Sequence, residues 1–431
     1  MKLTLTRCVA FPLWVALICH SSPASAADGS APTPVVPRER KAYFEPFTWP
    51  SEPPPDCPFT PSKELTGLRF TGVHSDYHFA DTWYPTWAAD GNLYSPYTDG
   101  DVYGVGSNSD GYKWGSDDSQ PPSTNQLNKA TTGQAVLMGD DPLNLTVKSL
   151  GLVQADPYPY GGRYPCGSLV YHGVWYYGTY CLSPKGGTRF GSTLYNWPWL
   201  GPLVGFRTST DYGKTWQETA HTPAKPLFGE TGQWGYPVKI GSPHFVDFGK
   251  ELEHSPDGKA YLVGHGAVDP DAKPRFANLS WITGDQIYLL RVAPAMENLN
   301  DASKYEFYAG QDAAGQPMWT GDFKGIKPLL DWNNNMGCVT DGGNTCARMH
   351  TYILESNQLT GPWKLVTYMK DFGEQCYFAN FPSKFISADG RTLWLCYSAN
   401  FATDWNGEKI KSNPPGSHYG LVLQEVKLLG P

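Results

Sequence analysis

The sequence predicts an all-β fold, a β-propeller of about five blades, placed behind a secretory signal peptide and a Pro-rich arm. Three observations predict it. A hairpin phrase returns at intervals of roughly 80 residues: a strand, a tight Asp-Gly or His-Gly turn, then an aromatic strand ending in Gly, Asn or Asp. The chain is rich in strand and turn formers, with 16 Trp, 26 Tyr and 46 Gly, and shows no convincing amphipathic helix period. The run Ser209-Thr-Asp-Tyr-Gly-Lys-Thr-Trp216 fits the Asp-box pattern S-x-D-x-G-x-T-W, a turn that ties together the two outer strands of a blade.

Taken from the N-terminus, Lys2 and Arg7 precede the apolar stretch Cys8 to Cys19, and Ala24-Ser25-Ala26 supplies small residues for cleavage, so residues 1–26 read as a signal peptide. The apolar stretch is too short to be a membrane span, and no later segment is long enough either. Residues 27–61 (APTPVVP, SEPPPDCP) are crowded with Pro and small polar residues, a composition expected of a linker or a loosely docked arm. Residues 62–431 are then expected to form one propeller domain, since no second linker interrupts them.

Removing Lys2 and Arg7 with the signal takes the formal charge from -8 to -10, and no block of Lys or Arg occurs anywhere. That balance argues against nucleic acid and anionic membranes as partners. A secreted monomer is expected. Seven cysteines remain beyond the signal (57, 166, 181, 338, 346, 376 and 396), enough for up to three disulfides with one left over. Cys166 with Cys181, across the His172-Gly173 turn, is the pair that geometry favours. Asn144 and Asn278 head glycosylation acceptor patterns.

The recurring hairpins run over residues 82–100, 164–181, 243–266 and 380–400. A fifth is expected between Trp332 and Thr351, but that stretch is too short for two full strands, so this blade is expected to be reduced, with Cys338 and Cys346 bracing it. Longer loops hiding weak strands would raise the count to about six or seven. Closure is expected from Leu68–Val73 lying beside Tyr419–Leu429, which removes the open sheet edge.

Ligand groups in such a fold collect where inner strands start and end. Around the Ala89-Asp90-Gly91 turn, residues whose numbers sum to 180 should face each other, and 81 plus 99 is 180. Asp81 and Asp99 are therefore expected to oppose one another with bases roughly 5 Å apart. Two such carboxylates suit acid/base work: one donates a proton to a leaving oxygen while the other attacks or activates water, and a separation near 5 Å favours attack with retention. The alternative is that Asp81 caps a turn and Asp99 belongs to an Asp-Gly loop. Candidate binding residues are His78, Asp101, Arg163, Tyr164, His244, His265 and Asn334, the last from the Asn333–Asn335 run. Trp83, Trp175, Trp197, Trp199 and Trp234 suit either sugar stacking or the core. No cofactor is called for; Asp99, Asp101 and Asp110 could offer oxygens to a structural calcium, although their spacing is not that of a defined loop.

The run Asp81 to Asp99 (DTWYPTWAADGNLYSPYTD) resembles the first blade of the five-bladed propeller family typified by endo-D-arabinanases, which has two Asp residues at this separation. GPWKLVTY and SADGRTLWLCYSANF are similar to its closing blades, so the likeness spans Gly67 to Leu429. The resemblance implies a propeller that hydrolyses glycosidic bonds with Asp81 and Asp99 as its carboxylates. The strand here ends Thr-Asp-Gly where the family has Gly-Asp-Thr, so the sugar is left open. A polysaccharide lyase acting through His, Tyr and Arg (His74, His78, His244, His265, Tyr164, Arg163) and a non-catalytic glycan binder are the other readings the residues allow.

Overall fold

Antiparallel sheets make up almost all of the regular structure, and local turn chemistry explains much of it. Between the strands Tyr160–Tyr171 and Val174–Pro184, His172 (φ 49°) and Gly173 (φ 77°) are both left-handed. That is the backbone of a type I′ turn, whose twist matches that of the strands it joins. In the first hairpin Gly91 takes φ 87°, and the Asp90 carboxylate accepts from the Asn92 N–H at 2.9 Å and the Tyr94 hydroxyl at 2.7 Å.

The computed structural model describes residues 37–77, 79–109, 130–155, 160–184, 188–190, 193–195, 200–231, 238–266, 286–332, 339–340, 346–348, 350–373, 376–399, 404–405, 408–409 and 413–430. The chain divides into Met1–Pro37 and Arg38–Pro431, and the fold is that of the second unit. Among the described residues the one α-helix is the short turn Met296–Leu299, and no helix is long and apolar enough to cross a membrane.

Four sheets of three or more strands are described. The first runs Thr86–Trp87, Leu93–Tyr97, Ala130–Met138, Thr146–Ala155. The second runs Tyr160–Tyr171, Val174–Pro184, Leu200–Ser209, with Gln217 bridged to Thr208 as a rudimentary fourth strand. The third orders Gly241–Phe245, Ala260–Gly266, Gln286–Val292, Glu306–Gln311 and Pro317–Thr320, and Pro328–Asp331 also pairs with Gln286–Val292. The closing sheet runs Tyr377–Asn380, Thr392–Ser398, Val422–Leu429, Gly67–Asp76, Phe47–Thr48. Gly67 faces Leu429 in it, so the expected pairing of the early strand with the C-terminal strand is observed and the chain ends close one sheet.

The arrangement is propeller-like because first strands meet one another. Those of the first and second sheets touch, as do those of the second and third. Phe378, in the first strand of the closing sheet, meets Tyr84 of the first sheet and His244 of the third, with ring centroids 5.2 and 5.8 Å apart. The core lies between neighbouring sheets. Trp175 and Tyr177 of the second sheet pack with Tyr94 and Val136 of the first, while Leu262, Tyr288 and Leu290 of the third pack with Tyr180 and Phe206 of the second.

The same ring is closed by charge on the face where the inner hairpins turn. Glu251, from the third sheet's turn, accepts from the Ala89 N–H (3.1 Å) in the first sheet's turn and the His172 N–H (2.6 Å) in the second's. Asp247 accepts from the Ser383 N–H and hydroxyl, both at 2.7 Å, which ties the third sheet to the closing one. Lys384 of the closing sheet returns to the first, donating to the carbonyls of Gly91 (2.7 Å) and Gly139 (2.6 Å) and pairing with Asp140 (2.9 Å). Charge-assisted bonds of this kind contribute about 1.5–3 kcal/mol each where buried, as the Lys384 side chain is at 5% exposure.

The Asp-box is structural. Asp211 accepts from the Thr215 N–H (2.9 Å), the Thr215 hydroxyl (2.7 Å) and the Ser209 hydroxyl (2.8 Å), and these donors, Thr215 first, hold its carboxyl down at about 2. Trp216 packs on Trp175 and Tyr177 at 5.2 and 5.5 Å.

Two expectations are refined and one is corrected. The Pro-rich arm is docked from Arg38 onward: Phe47 stacks on Phe70 at 5.4 Å, and Trp49, 5% exposed, meets Phe372 edge-on at 5.5 Å. Between Trp332 and Met369 the described residues form two hairpins, Val339–Thr340 with Cys346–Arg348 and Thr351–Glu355 with Lys364–Met369, and the arm joins the second through the parallel bridge of Pro61 to Leu365. The side chains of Cys338 and Cys346 lie outside the described residues. The Cys166–Cys181 disulfide does not form. The ladder keeps the turn's sum as far as Ser168 with Tyr177, then slips by one, putting Arg163 opposite Cys181. A slip of one residue moves a side chain to the other face of a sheet. Cys166 accordingly joins the cluster shared with the third sheet, and Cys181 packs with Val204.

Candidate active site

The open end of the first hairpin departs from the expected register, and the departure shapes the site. Asp81 pairs with Thr98 and not with Asp99, exchanging N–H to carbonyl bonds of 2.9 and 3.0 Å. From Thr86–Tyr94 to Asp81–Thr98 the first strand contains one extra residue. Pro85 lacks an N–H, the Tyr84 N–H goes to the Ser95 hydroxyl (2.8 Å), and Thr82 turns left-handed at φ 65°, so the ladder cannot continue there. Beyond Thr98 the excess lies on the other strand. The Asp101 N–H bonds the Phe79 carbonyl, leaving Asp99 and Gly100 against Ala80, with Asp99 itself left-handed at φ 50°. Bulges of this kind re-aim a side chain. The roughly 5 Å cross-strand spacing expected from direct opposition therefore does not apply.

What joins the two acids is Tyr419, from the segment leading into the last strand. Its hydroxyl lies 2.7 Å from Asp81 Oδ2 and 2.8 Å from the Asp99 carbonyl oxygen, within donating distance of both. Asp81 is 7% exposed, and its Oδ1 accepts from the Thr82 hydroxyl. Asp99 is half-buried, and its Oδ1 accepts from the Ser109 N–H at 2.8 Å. A buried carboxylate is tolerated only when hydrogen-bonded in this way.

Behind the acids lies an aromatic cluster to which each of the four larger sheets contributes. Tyr84 (first sheet) meets His244 (third) edge-on at 4.3 Å and Phe378 (closing) at 5.2 Å. Tyr180 (second) stacks at a tilt against Tyr164, 5.7 Å away. Burial pushes the Tyr84 phenol well up, and Tyr180, Cys166 and Asp81 add to the rise. Burial likewise pushes Tyr180 up, followed by Cys166, Asp81 and Asp99, so both acids act on this one phenol. Ser242 pulls both phenols back from close by without completing a hydrogen bond, and the buried Tyr84 and Ser242 hydroxyls have no hydrogen-bond partner among the described residues. An unmade bond at a buried hydroxyl costs about 1–3 kcal/mol. Burial first, then His265, holds His244 down at about 3, so its imidazole is neutral across the physiological range. Of the ten left-handed non-glycine residues described, four belong to this cluster: Thr82, Asp99, Ser242 (φ 43°) and Phe378 (φ 59°).

No protein-family model matches the chain, and no curated protein does. Solved structures do. A β-xylosidase/α-arabinofuranosidase of glycoside hydrolase family 43 from a compost microbial metagenome is 12% identical over 82% of this chain and 92% of its own, at TM-score 0.38. An inulosucrase from Halalkalicoccus jeotgali is 11% identical (87% and 93%, TM-score 0.41), and an α-L-arabinanase from Penicillium chrysogenum is 10% identical (82% and 98%, TM-score 0.35). Likeness at these values assigns neither a reaction nor a residue to this chain.

The remaining expected residues divide. His244 and His265 face each other with ring centroids 6.3 Å apart, and Tyr164 lies beside Tyr180. Arg163 is 4% exposed, its Nε donating to the Thr179 hydroxyl (2.8 Å) and one Nη facing Glu218 at 3.7 Å. Asp101 caps its own turn by accepting from the Gly104 N–H at 2.7 Å. His78, Asn334, Asp110, Asn278, Trp197, Trp199 and Trp234 lie outside the described residues. Trp83 and Trp175 are core, their indole N–H groups donating to the Ala80 carbonyl and the Ser168 hydroxyl. Among the described residues no three His, Cys, Asp or Glu groups gather to hold a metal. Sequence reasoning missed Tyr84, Tyr180, Ser242, Phe378 and Tyr419. Tyr180 and Ser242 adjoin positions already singled out, whereas nothing local marks Tyr419, which lies more than 300 positions from Asp81 in the chain.

Proposed function

We propose that this chain is an exported glycoside hydrolase in which Asp81 and Asp99 perform the acid/base chemistry. One observation carries it: a buried carboxylate, Asp81, is tied by a single phenol, Tyr419, to the segment holding a second, Asp99, at the edge of an aromatic cluster drawn from all four sheets. One carboxyl would protonate the glycosidic oxygen as its bond to the anomeric carbon breaks; the other would attack that carbon or take a proton from the attacking water. The left-handed backbone at Thr82, Asp99, Ser242 and Phe378 supports function at this end, since each costs about 1–3 kcal/mol that only the surrounding structure sustains. The test is a glycan screen with mass detection of products, followed by Asp81→Asn and Asp99→Asn. Each should lose about 10²–10⁴-fold in rate while keeping its circular dichroism. Full activity in both variants would discard the proposal, and tight binding without product would favour a non-catalytic glycan binder.

A second reading has one observation in its favour. His244 is neutral and in edge contact with the Tyr84 ring, as a lyase base would need to be. The Arg163 guanidinium, which would have to neutralise a uronate, is engaged with Thr179 and Glu218. Lyase products absorb in the ultraviolet through a new C4=C5 double bond, and hydrolase products do not.

A further inference from the structure

Two of the large apolar side chains left open to solvent lie on the segments that carry Asp81 and Asp99. Phe79 is 63% exposed and Tyr103 74% exposed. Phe79 comes two residues before Asp81, and its ring lies on that of Tyr419, centroids 4.7 Å apart and planes tilted by 49°. The Tyr419 hydroxyl is the group that reaches Asp81. The backbone holds Phe79 in place: its carbonyl accepts from the Asp101 N–H, and a Cβ on Gly100 would come within 2.2 Å of that carbonyl. The glycine after Asp99 is thus what lets the two segments touch. Tyr103 stands at the tip of the adjoining hairpin, Gly100–Val102 with Val105–Ser107. Leaving a phenylalanine in water forgoes about 1.5–3 kcal/mol of burial.

We propose that Phe79, backed by the Tyr419 ring, is the platform on which one sugar ring of the substrate stacks beside Asp81, with Tyr103 as an outer contact. This inference rests on the hydrolase proposal and adds to it where the substrate lies. The chemistry selects the occupant. The faces of a pyranose or furanose present C–H groups, which suit an aromatic face, and the rim hydroxyls can reach acceptors such as Asp81 and Asp99. An anionic ligand would meet the like charge of whichever of Asp81 and Asp99 is ionised, which favours a neutral sugar over nucleic acids and acidic lipids here.

The test separates this inference from the reading beneath it. Asp81→Asn, as a chain that binds without turnover, is titrated calorimetrically with arabino-, xylo- and cello-oligosaccharides. Adding Phe79→Ala should weaken the best of them about tenfold, while Phe79→Trp should restore it. In the active chain Phe79→Ala should raise KM more than it lowers kcat. Cleavage by the native chain with unchanged affinity and KM in Phe79→Ala overturns the platform and leaves the hydrolase standing. A native chain that neither binds nor cleaves any probe overturns both. Sedimentation showing a dimer that Phe79→Ala abolishes also overturns the platform, because the ring would then belong to a self-association surface.

Discussion

At the turn end of the inner hairpins, Glu251, Asp247 and Lys384 each direct their charged groups at another blade, in each case reaching backbone atoms. At the open end Asp81 and Asp99 hold groups of their own hairpin, meet Tyr419 from the closing segment, and sit among hydroxyls left unpaired. Left-handed residues occur at both ends, but their settings differ. His172 and Tyr212 lie in tight turns and Glu251 and Leu252 in the short Lys250–Leu252 segment at the secured end, whereas Thr82, Asp99, Ser242 and Phe378 interrupt the open ends of inner hairpins. The contrast teaches a division of labour. One end secures the ring, and that security sustains a strained and incompletely satisfied arrangement at the other.

The largest effect that would break this comparison is on rate. Asp81→Asn should cost about 10²–10⁴-fold in turnover with little change in melting temperature, whereas a turn-end substitution should do the reverse.

Next comes the response to pH. His244 is held at about 3 in the folded chain against an ordinary 6.5, so below 6.5 the unfolded chain takes up a proton that the folded chain refuses. Its contribution to stability is complete above 6.5 and falls by about 1.4 kcal/mol per pH unit on acidification toward 3. His74 and His418, both lowered chiefly by burial, act in the same direction. Urea midpoints measured between pH 7 and pH 4 should fall, and fall less steeply in His244→Phe; parallel slopes would remove His244 from the account.

Lys384→Met should lose about 2 kcal/mol by chemical denaturation, because it strands the Gly91 and Gly139 carbonyls, while KM stays as it was. A change in KM without loss of stability would contradict the separation of the two ends. The smallest effect has the opposite sign. Ser242→Gly removes both a left-handed Cβ and an unpaired buried hydroxyl, and should gain about 1 kcal/mol of stability. Destabilisation there would mean that the hydroxyl is bonded after all.

Much of the fold was legible in local signals. His172-Gly173 and Asp90-Gly91 carry turn chemistry in two adjacent residues, and the Asp-box contains all of its own hydrogen-bonding partners. The arm was not, because Pro-rich composition reports a low propensity to order, while Trp49 and Phe47 are held by Phe70 and Phe372, which are distant in sequence. For the site, Asp81 and Asp99 could be found from their symmetry about a turn, yet their mutual geometry could not. A sum rule assumes an unbroken ladder, and Pro85 and Asp99 each break it.

The amino-acid pattern alone determined the all-β class and the turns of the first two inner hairpins, because turns and alternating strands are specified by neighbours a few residues apart, whereas the inner strand of the closing sheet lies at Tyr377–Asn380, ahead of the expected 380–400. Only the tertiary structure decided which sulfurs stay apart, which phenol reaches Asp81, and which aromatics are core or surface. Those outcomes depend on one-residue slips in register and on contacts between blades, where a single bulge sends a side chain to the other face of its sheet.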